Sequence, residues 1–425
     1  MTSPRNCTPG RHRAGTLAAL AAIAALAASA CSSGSSGSPS AGAPSGSAVA
    51  GLGAQHPATG TPVTLGYIYD GTSEALDQTD DLEAAQATVK YVNTYRNGLG
   101  GHPMSLDVCS TDATPTGGRD CVAQMVRDKV PLVLNTESAE GNVMWQPLIN
   151  AGVPIWLELG GTEAVDASNI ADMVQNPLMT GIGGPALAAG AAGVTTAAIA
   201  VIGVPAATAG FSTGVPLLYG AFHIKTVIVS IPPGTPDPSP QVVAALTHHP
   251  GQFMVLGDES LCDAVLKALQ NAGYHGQIVA LAGCISAGAA KELTNLNGVL
   301  EFTTETSDPA SPELKVFNAV MDAYAPQSID RLMAKNDYQM IVALSLATHG
   351  LDGAATKGNI QHAINTMPPK RMPLAPQITF QCHHQLSEYV PAACSVDVLK
   401  TVLDSDGTIA SSTVVKNSIL QVSGT

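Results

Sequence analysis

Aromatic side chains are scarce, at 4% of 425 residues, and charged ones are few, at 12%. A cage for a quaternary ammonium group needs several aromatic faces, so that ligand class is poorly supported. Nineteen basic residues stand against 33 acids, a net charge of −14, and no basic stripe exists for a phosphate backbone. Nucleic acid is therefore not expected as a partner. Nucleotide fingerprints are missing too: Gly181-Ile182-Gly183-Gly184 follows no strand and has no acid at the required later spacing. No cofactor is expected. Beyond the first 30 residues no apolar run approaches the ~20 needed to span a bilayer. The nearest, Ala186 to Ile202, is interrupted by Gly190 and Gly193 and reads as a small-residue helix running into a strand.

What is present is enough apolar material, 45% of the chain, for more than one core. At ~150 residues per domain the length gives two or three units. Residues 1–30 read as an export signal, because Arg5, Arg11 and Arg13 precede a small-apolar run from Leu17 to Ala28. The segment Ala28-Ser29-Ala30-Cys31, followed by Ser32-Ser33-Gly34, resembles the lipobox of bacterial lipoproteins. That resemblance implies lipidation of Cys31 and anchorage on the extracytoplasmic face of the cell membrane. Ala28 stands where such boxes usually carry Leu, and simple secretory cleavage after Ala30 is the other reading. Residues 31–60 are dominated by Ser, Gly, Ala and Pro and read as a flexible tether.

Of eight cysteines, Cys7 leaves with the signal and Cys31 takes the lipid. The rest fall into local couples, predicting bridges Cys109 to Cys121, Cys262 to Cys284 and Cys382 to Cys394. Each contributes about 3 kcal/mol by restricting the unfolded chain. Their number points to an oxidising compartment. A metal reading of Cys382-His383-His384 fails because neighbouring residues on a strand point to opposite faces, and no metal is expected.

From Pro62 the pattern alternates short apolar strands with helices, the mark of parallel sheets with crossover helices. Strands are predicted over Val63–Ile68, Ser105–Val108, Pro131–Leu134, Pro154–Leu157, Thr196–Ile202, Thr226–Ser230, Phe253–Leu256, Gln277–Ala280 and Gly298–Thr303. Helices are predicted over Leu82–Tyr95, Cys121–Arg127, Leu261–Asn271 and Pro312–Ala323. So many strands pack more easily as two lobes than as one open sheet.

Several local signatures follow this order: Val63-Thr64-Leu65-Gly66-Tyr67, then Tyr91-Val92-Asn93 before Gly98-Leu99-Gly100-Gly101-His102-Pro103, then Asn150-Ala151-Gly152-Val153-Pro154-Ile155, and Leu269 to Gly273 with Tyr274. Together they resemble the type I periplasmic binding proteins, in particular the branched-chain amino acid receptors of ABC importers, over Pro62 to about Pro368. The resemblance implies an α/β fold of two Rossmann-like lobes joined by a three-segment hinge. Lobe one would hold 61–162 and 306–370, lobe two 163–305, and the tail 371–425 would add strands near the hinge without an assigned lobe. It also implies a non-catalytic protein that closes on a small molecule and presents it to an ABC permease.

By the same resemblance the ligand-binding residues are Tyr69, Ser138, Ala139, Gly161, Thr162 and Asp258. Ser138 lies in the polar loop Asn135 to Asn142, where the family places a serine hydroxyl on the ligand's carboxylate; the other reading, compatible with the first, is that it merely N-caps the helix. Gly160-Gly161-Thr162 matches a small-small-Thr turn that contacts the same group. The second lobe departs from the amino-acid pattern: Gly257-Asp258 replaces an aromatic, and Ala282-Gly283-Cys284 replaces an acid. Asp258 either holds a cation or only caps the helix beginning near Ser260. The ligand is read as an amino acid, an amide or another small acid. A sensor module of the same fold is an alternative role. A serine hydrolase built on Gly210-Phe211-Ser212-Thr213-Gly214 is a weaker one, because that string follows no strand directly.

Overall fold

Two sets of parallel strands, each covered by helices on both faces, account for most of the chain. The structure is a computed structural model that describes residues 49–72, 78–203, 205–286, 288–328, 331–383, 386 and 390–416. The signal-like segment, Cys31 and His384 lie outside the described residues.

The first sheet forms from β1 (Val63–Tyr69), α1 (Thr79–Tyr95), β2 (Met104–Ser110), α2 (Pro115–Arg127), β3 (Val133–Asn135), α3 (Gly141–Asn150), β4 (Ile155–Leu157), α4 (Glu163–Asp166) and β5 (Ala171–Met173). Its strands run parallel in the order β2-β1-β3-β4-β5. Period-two alternation sorts the side chains: Leu65 and Tyr67 enter one core with α1, while Ile68 enters another with Met125, Trp145 and Leu148 of α2 and α3.

The second lobe holds α5 (Gly184–Ala191), β6 (Thr196–Ile202), α6 (Pro205–Gly220), β7 (Lys225–Ile231), α7 (Ser239–Leu246), β8 (Gln252–Leu256), α8 (Glu259–Asn271), β9 (Gln277–Ala280) and β10 (Leu300–Thr303). Here too Phe253 and Val255 face one core, and Met254 and Leu256 the other. The chain then returns through α9 (Pro312–Tyr324), α10 (Arg331–Ala347) and α11 (Lys357–Asn365), which supply Phe317, Ile341 and Ile360 to the core built on α1. A hairpin of β11 (Lys370–Met372) and β12 (Ala375–Phe380) follows. Finally β13 (Val398–Leu403) and β14 (Ile409–Val415) extend the second sheet antiparallel, giving the order β14-β13-β10-β9-β8-β6-β7.

Three expectations shift. The first sheet takes in β5, so it passes the boundary expected at 162; a three-residue strand is too short to register as periodicity. The tail's last strands belong to the second sheet. The tether ends earlier than expected at 60, because Leu52 is buried in the first core, and the His56 and Ala58 amides donate to the Thr94 and Asn93 carbonyls at 3.0 and 2.9 Å. A Ser/Gly/Ala/Pro composition masks one anchoring leucine.

The chain passes between lobes after β5, after β10 and before β13. Gln339 of α10, fully buried, ties the first two passages to the hairpin. Its Nε2 donates to the Thr304 and Pro373 carbonyls at 2.8 and 2.6 Å. Its Oε1 accepts from Thr304 Oγ1 at 3.2 Å and Gln175 Nε2 at 3.1 Å. Beside it Gln175 donates to the buried Glu158 at 2.8 Å. Burial, reinforced by the Glu305 and Asp337 charges against that hydrogen bond, raises the Glu158 carboxyl well above the usual range.

All three expected disulfides form. The Cys382–Cys394 loop seals the outer edge of β5: the Met173 amide donates to the Ala392 carbonyl at 2.9 Å, and the Cys394 amide to the Met173 carbonyl at 2.7 Å. Asp172, grouped with these two sulfurs, gains no metal-ligating partner, since both sulfurs are spent in the bridge. It pairs instead with His383, whose Nε2 lies 3.2 Å from Asp172 Oδ1. The hydrogen bond to Asp172, with its charge and against burial, raises the His383 imidazole above its ordinary value. A raised folded value means stabilisation that is complete below the unfolded pKa of ~6.5 and lost as pH climbs through the folded one. His383→Asn should cost about 1–2 kcal/mol near pH 5.5 and progressively less at higher pH, read from thermal melts of both forms across that range.

Candidate ligand-binding site

Parallel strands gather their carboxyl ends on one edge, and that edge of the first lobe carries unusual polarity for so buried a place. Asp70 directly follows β1, and only 1% of its surface is exposed. Its Oδ1 accepts from Thr111 Oγ1 at 2.7 Å and from Ser138 Oγ at 2.6 Å. Its Oδ2 accepts from the Ala139 amide at 2.8 Å. The Asp70 amide in turn donates to Gln78 Oε1 at 2.7 Å. Gly71 makes the turn possible, with φ +70°, and an added Cβ would collide with Ser110 Oγ. Loops after β1, β2 and β3 are thereby tied to one carboxylate.

Ser138 is not the helix N-cap, a place taken by Glu140. Instead its Oγ accepts from the Glu140 amide at 3.1 Å while donating to Asp70. Tyr69 stacks on Tyr67 with ring centroids 6.0 Å apart and joins the first core. Gly160, with φ +83°, lets the next loop pass Glu137, whose Cγ an added Cβ would meet at 3.6 Å. Gly161 packs on Met173, and Thr162 opens α4 with a buried Oγ1 that has no partner. The structure therefore brings Ser138 and Ala139 onto Asp70, sends the Tyr69 ring into the first core, and sets Gly160, ahead of Gly161 and Thr162, beside Glu137.

Two further acids flank this loop. Glu137 is solvent-accessible but hemmed in by both loops, and that crowding, with the Asp70 charge, raises its carboxyl. Burial and Asp70 likewise raise Glu140, against the nearby Arg119.

Asp258 belongs to the other lobe, at the carboxyl end of β8. Its Oδ1 caps α8, accepting from the Leu261 amide at 2.8 Å. Ser212 lies within α6 and not at a strand end, so the nucleophile elbow is absent. A depression of about 380 Å³ at the opposite, amino ends of β9 and β10, lined by Tyr274, His275 and Asn295, lies away from all these loops. Among the described residues no helix is long and apolar enough to cross a membrane. Asp70 went unread in the sequence, though an acid wedged between an apolar strand and a glycine was a signal for it.

Two lobes of largely parallel sheet, with three passages between them, carry polar loops at the strands' carboxyl ends, the arrangement of a two-lobed α/β protein. The family model described as periplasmic binding protein matches residues 62–394, and the chain belongs to that family. Solved structures share the fold. An ABC transporter substrate-binding protein from Sphaerobacter thermophilus is 17% identical with a TM-score of 0.68, covering 84% of this chain and 97% of its own. A branched-chain amino acid substrate-binding protein from Streptococcus pneumoniae, in complex with isoleucine, is 13% identical with a TM-score of 0.63, covering 84% and 100%. A solute-binding protein from R. palustris, in complex with 4-hydroxybenzoate, is 15% identical with a TM-score of 0.63, covering 82% and 95%. A search of curated protein sequences finds no match.

Ser138→Ala leaves one of Asp70's oxygens short of a donor. It should destabilise the fold by about 1.5–3 kcal/mol, the scale of a hydrogen bond to a charged group, measured by urea unfolding.

Proposed function

We propose that this protein is an exported, lipid-anchored receptor that captures a small polar solute between its lobes and hands it to the permease of an ABC importer. The observation that carries the reading is the placement of the 136–141 loop and the Gly160–Thr162 turn at neighbouring strand ends in a chain of this family. Relatives solved with isoleucine and with 4-hydroxybenzoate support a ligand of that size. Thr162 Oγ1, buried and without a partner in this conformation, is the hydroxyl assigned to the ligand once the lobes close. Binding then closes the lobes about the passages held by Gln339, and the closed form is what a permease recognises.

Export and anchorage rest on the signal-like segment, on Cys31, and on the three disulfides of the body. Cys31→Ser should move the protein from the detergent-extracted membrane fraction to the soluble extracytoplasmic fraction, followed by immunoblot; retention in the membrane would refute lipid anchoring there.

Ligand capture is tested by titration calorimetry of the full chain in detergent against amino acids, amides, small acids and amines. At least one class should bind well below millimolar, and Thr162→Ala should weaken that binding by about three- to tenfold. Failure of every class to bind below millimolar would sink the receptor reading.

A further inference from the structure

Resting on that receptor reading, we infer that Asp70 is a built-in carboxylate occupying the donors a ligand carboxylate would need, so that the site takes small amine cations and rejects their carboxylated counterparts. In the 136–141 loop the groups suited to an incoming carboxylate are the Ser138 hydroxyl and the Ala139 amide. Both are committed to Asp70, at 2.6 and 2.8 Å. The hydroxyl has one proton to give, and the amide has one. The Thr111 hydroxyl at 2.7 Å completes the set and locks the acid in place.

A ligand carboxylate entering here would find these two donors taken and would face negative charge. Asp70 lies beneath it, and Glu137 and Glu140 flank it. Arg119 is the cation that acts on this group, and its influence falls on Glu140. Lys335, the buried cation of the hinge, is held by Ser307 Oγ at 2.8 Å and acts on Glu305 and Glu301. Like charges at short range destabilise an anion, while an ammonium gains from the same field and donates to carboxylates and to the Thr162 hydroxyl. The second lobe adds Asp258, whose Oδ1 caps α8 while the residue stays exposed.

The test uses matched pairs that differ only by a carboxylate: leucine with isoamylamine, phenylalanine with phenethylamine, lysine with cadaverine, and arginine with agmatine. Each is titrated calorimetrically into the full chain in detergent. At least one amine should bind more tightly than its amino acid by about tenfold or more. Asp70→Ala, which frees the Ser138 hydroxyl and the Ala139 amide, should narrow or reverse that ratio through a gain in amino-acid affinity. Asp70→Asn, close in shape, should also weaken the amine, and thermal melts establish that each variant is folded. The comparison within the unaltered chain stands even if both variants fail to fold. An amino acid that binds the unaltered chain as tightly as its amine overturns the inference and leaves the receptor reading intact. So does binding confined to neutral amides or to 4-hydroxybenzoate. Absence of binding by every pair, amide and acid removes the receptor reading and this inference together.

Discussion

Backbone that passes between two lobes leaves its own sheet, and its carbonyls and amides must find partners where no strand supplies them. Gln339 solves this for the passage after β10 and for the β11–β12 hairpin, with Gln175 linking the passage after β5. An amide side chain suits the place because it both donates and accepts. A glutamate there would lose the donors to the Thr304 and Pro373 carbonyls and add another carboxylate next to Glu158 and near Glu305. Buried Lys335, near Glu305, is the local counterweight, and its hydrogen bond to Ser307 fixes it on the second passage. The lobes can change their mutual angle only about such satisfied points, since any rearrangement that strands these groups costs about 1–3 kcal/mol for each.

Much of the architecture was legible because strand alternation is a strong signal. Thr196–Ile202 and Gln277–Ala280 were delimited to the residue, and most other strands to within one or two. Elements that escaped did so for identifiable reasons. β5 spans three residues, and β14 reads Ile-Ala-Ser-Ser-Thr-Val-Val, polar and half exposed, with little to distinguish it from a loop. Leu52 was lost inside a low-complexity stretch, where a single apolar residue carries no period. The disulfides were legible because each couple is close in sequence.

The site was legible only as a set of loops. Ser138, Ala139 and Thr162 stand at strand ends, as their order along the chain implied. What they touch was not readable, because the contact between Asp70 and Ser138 spans 68 positions and depends on β1 and β3 lying side by side. A serine hydroxyl followed by a free amide reads as an anion site until the neighbouring loop is seen to bring its own anion. Asp258 illustrates the opposite case, since capping was one of its two expected roles and required only the three residues that follow it.

The way the chain is shared between lobes also fixes what can be cut or exchanged. The first core is completed by Phe317 and Ile341, which follow β6 to β10 in sequence, and the second sheet is completed by β13 and β14, which follow those helices. Neither lobe is a continuous stretch of sequence, so no single scission releases one intact. Grafting a foreign lobe onto this protein would require replacing interleaved segments together. Recombination within the gene would therefore exchange loops at strand ends far more readily than whole lobes.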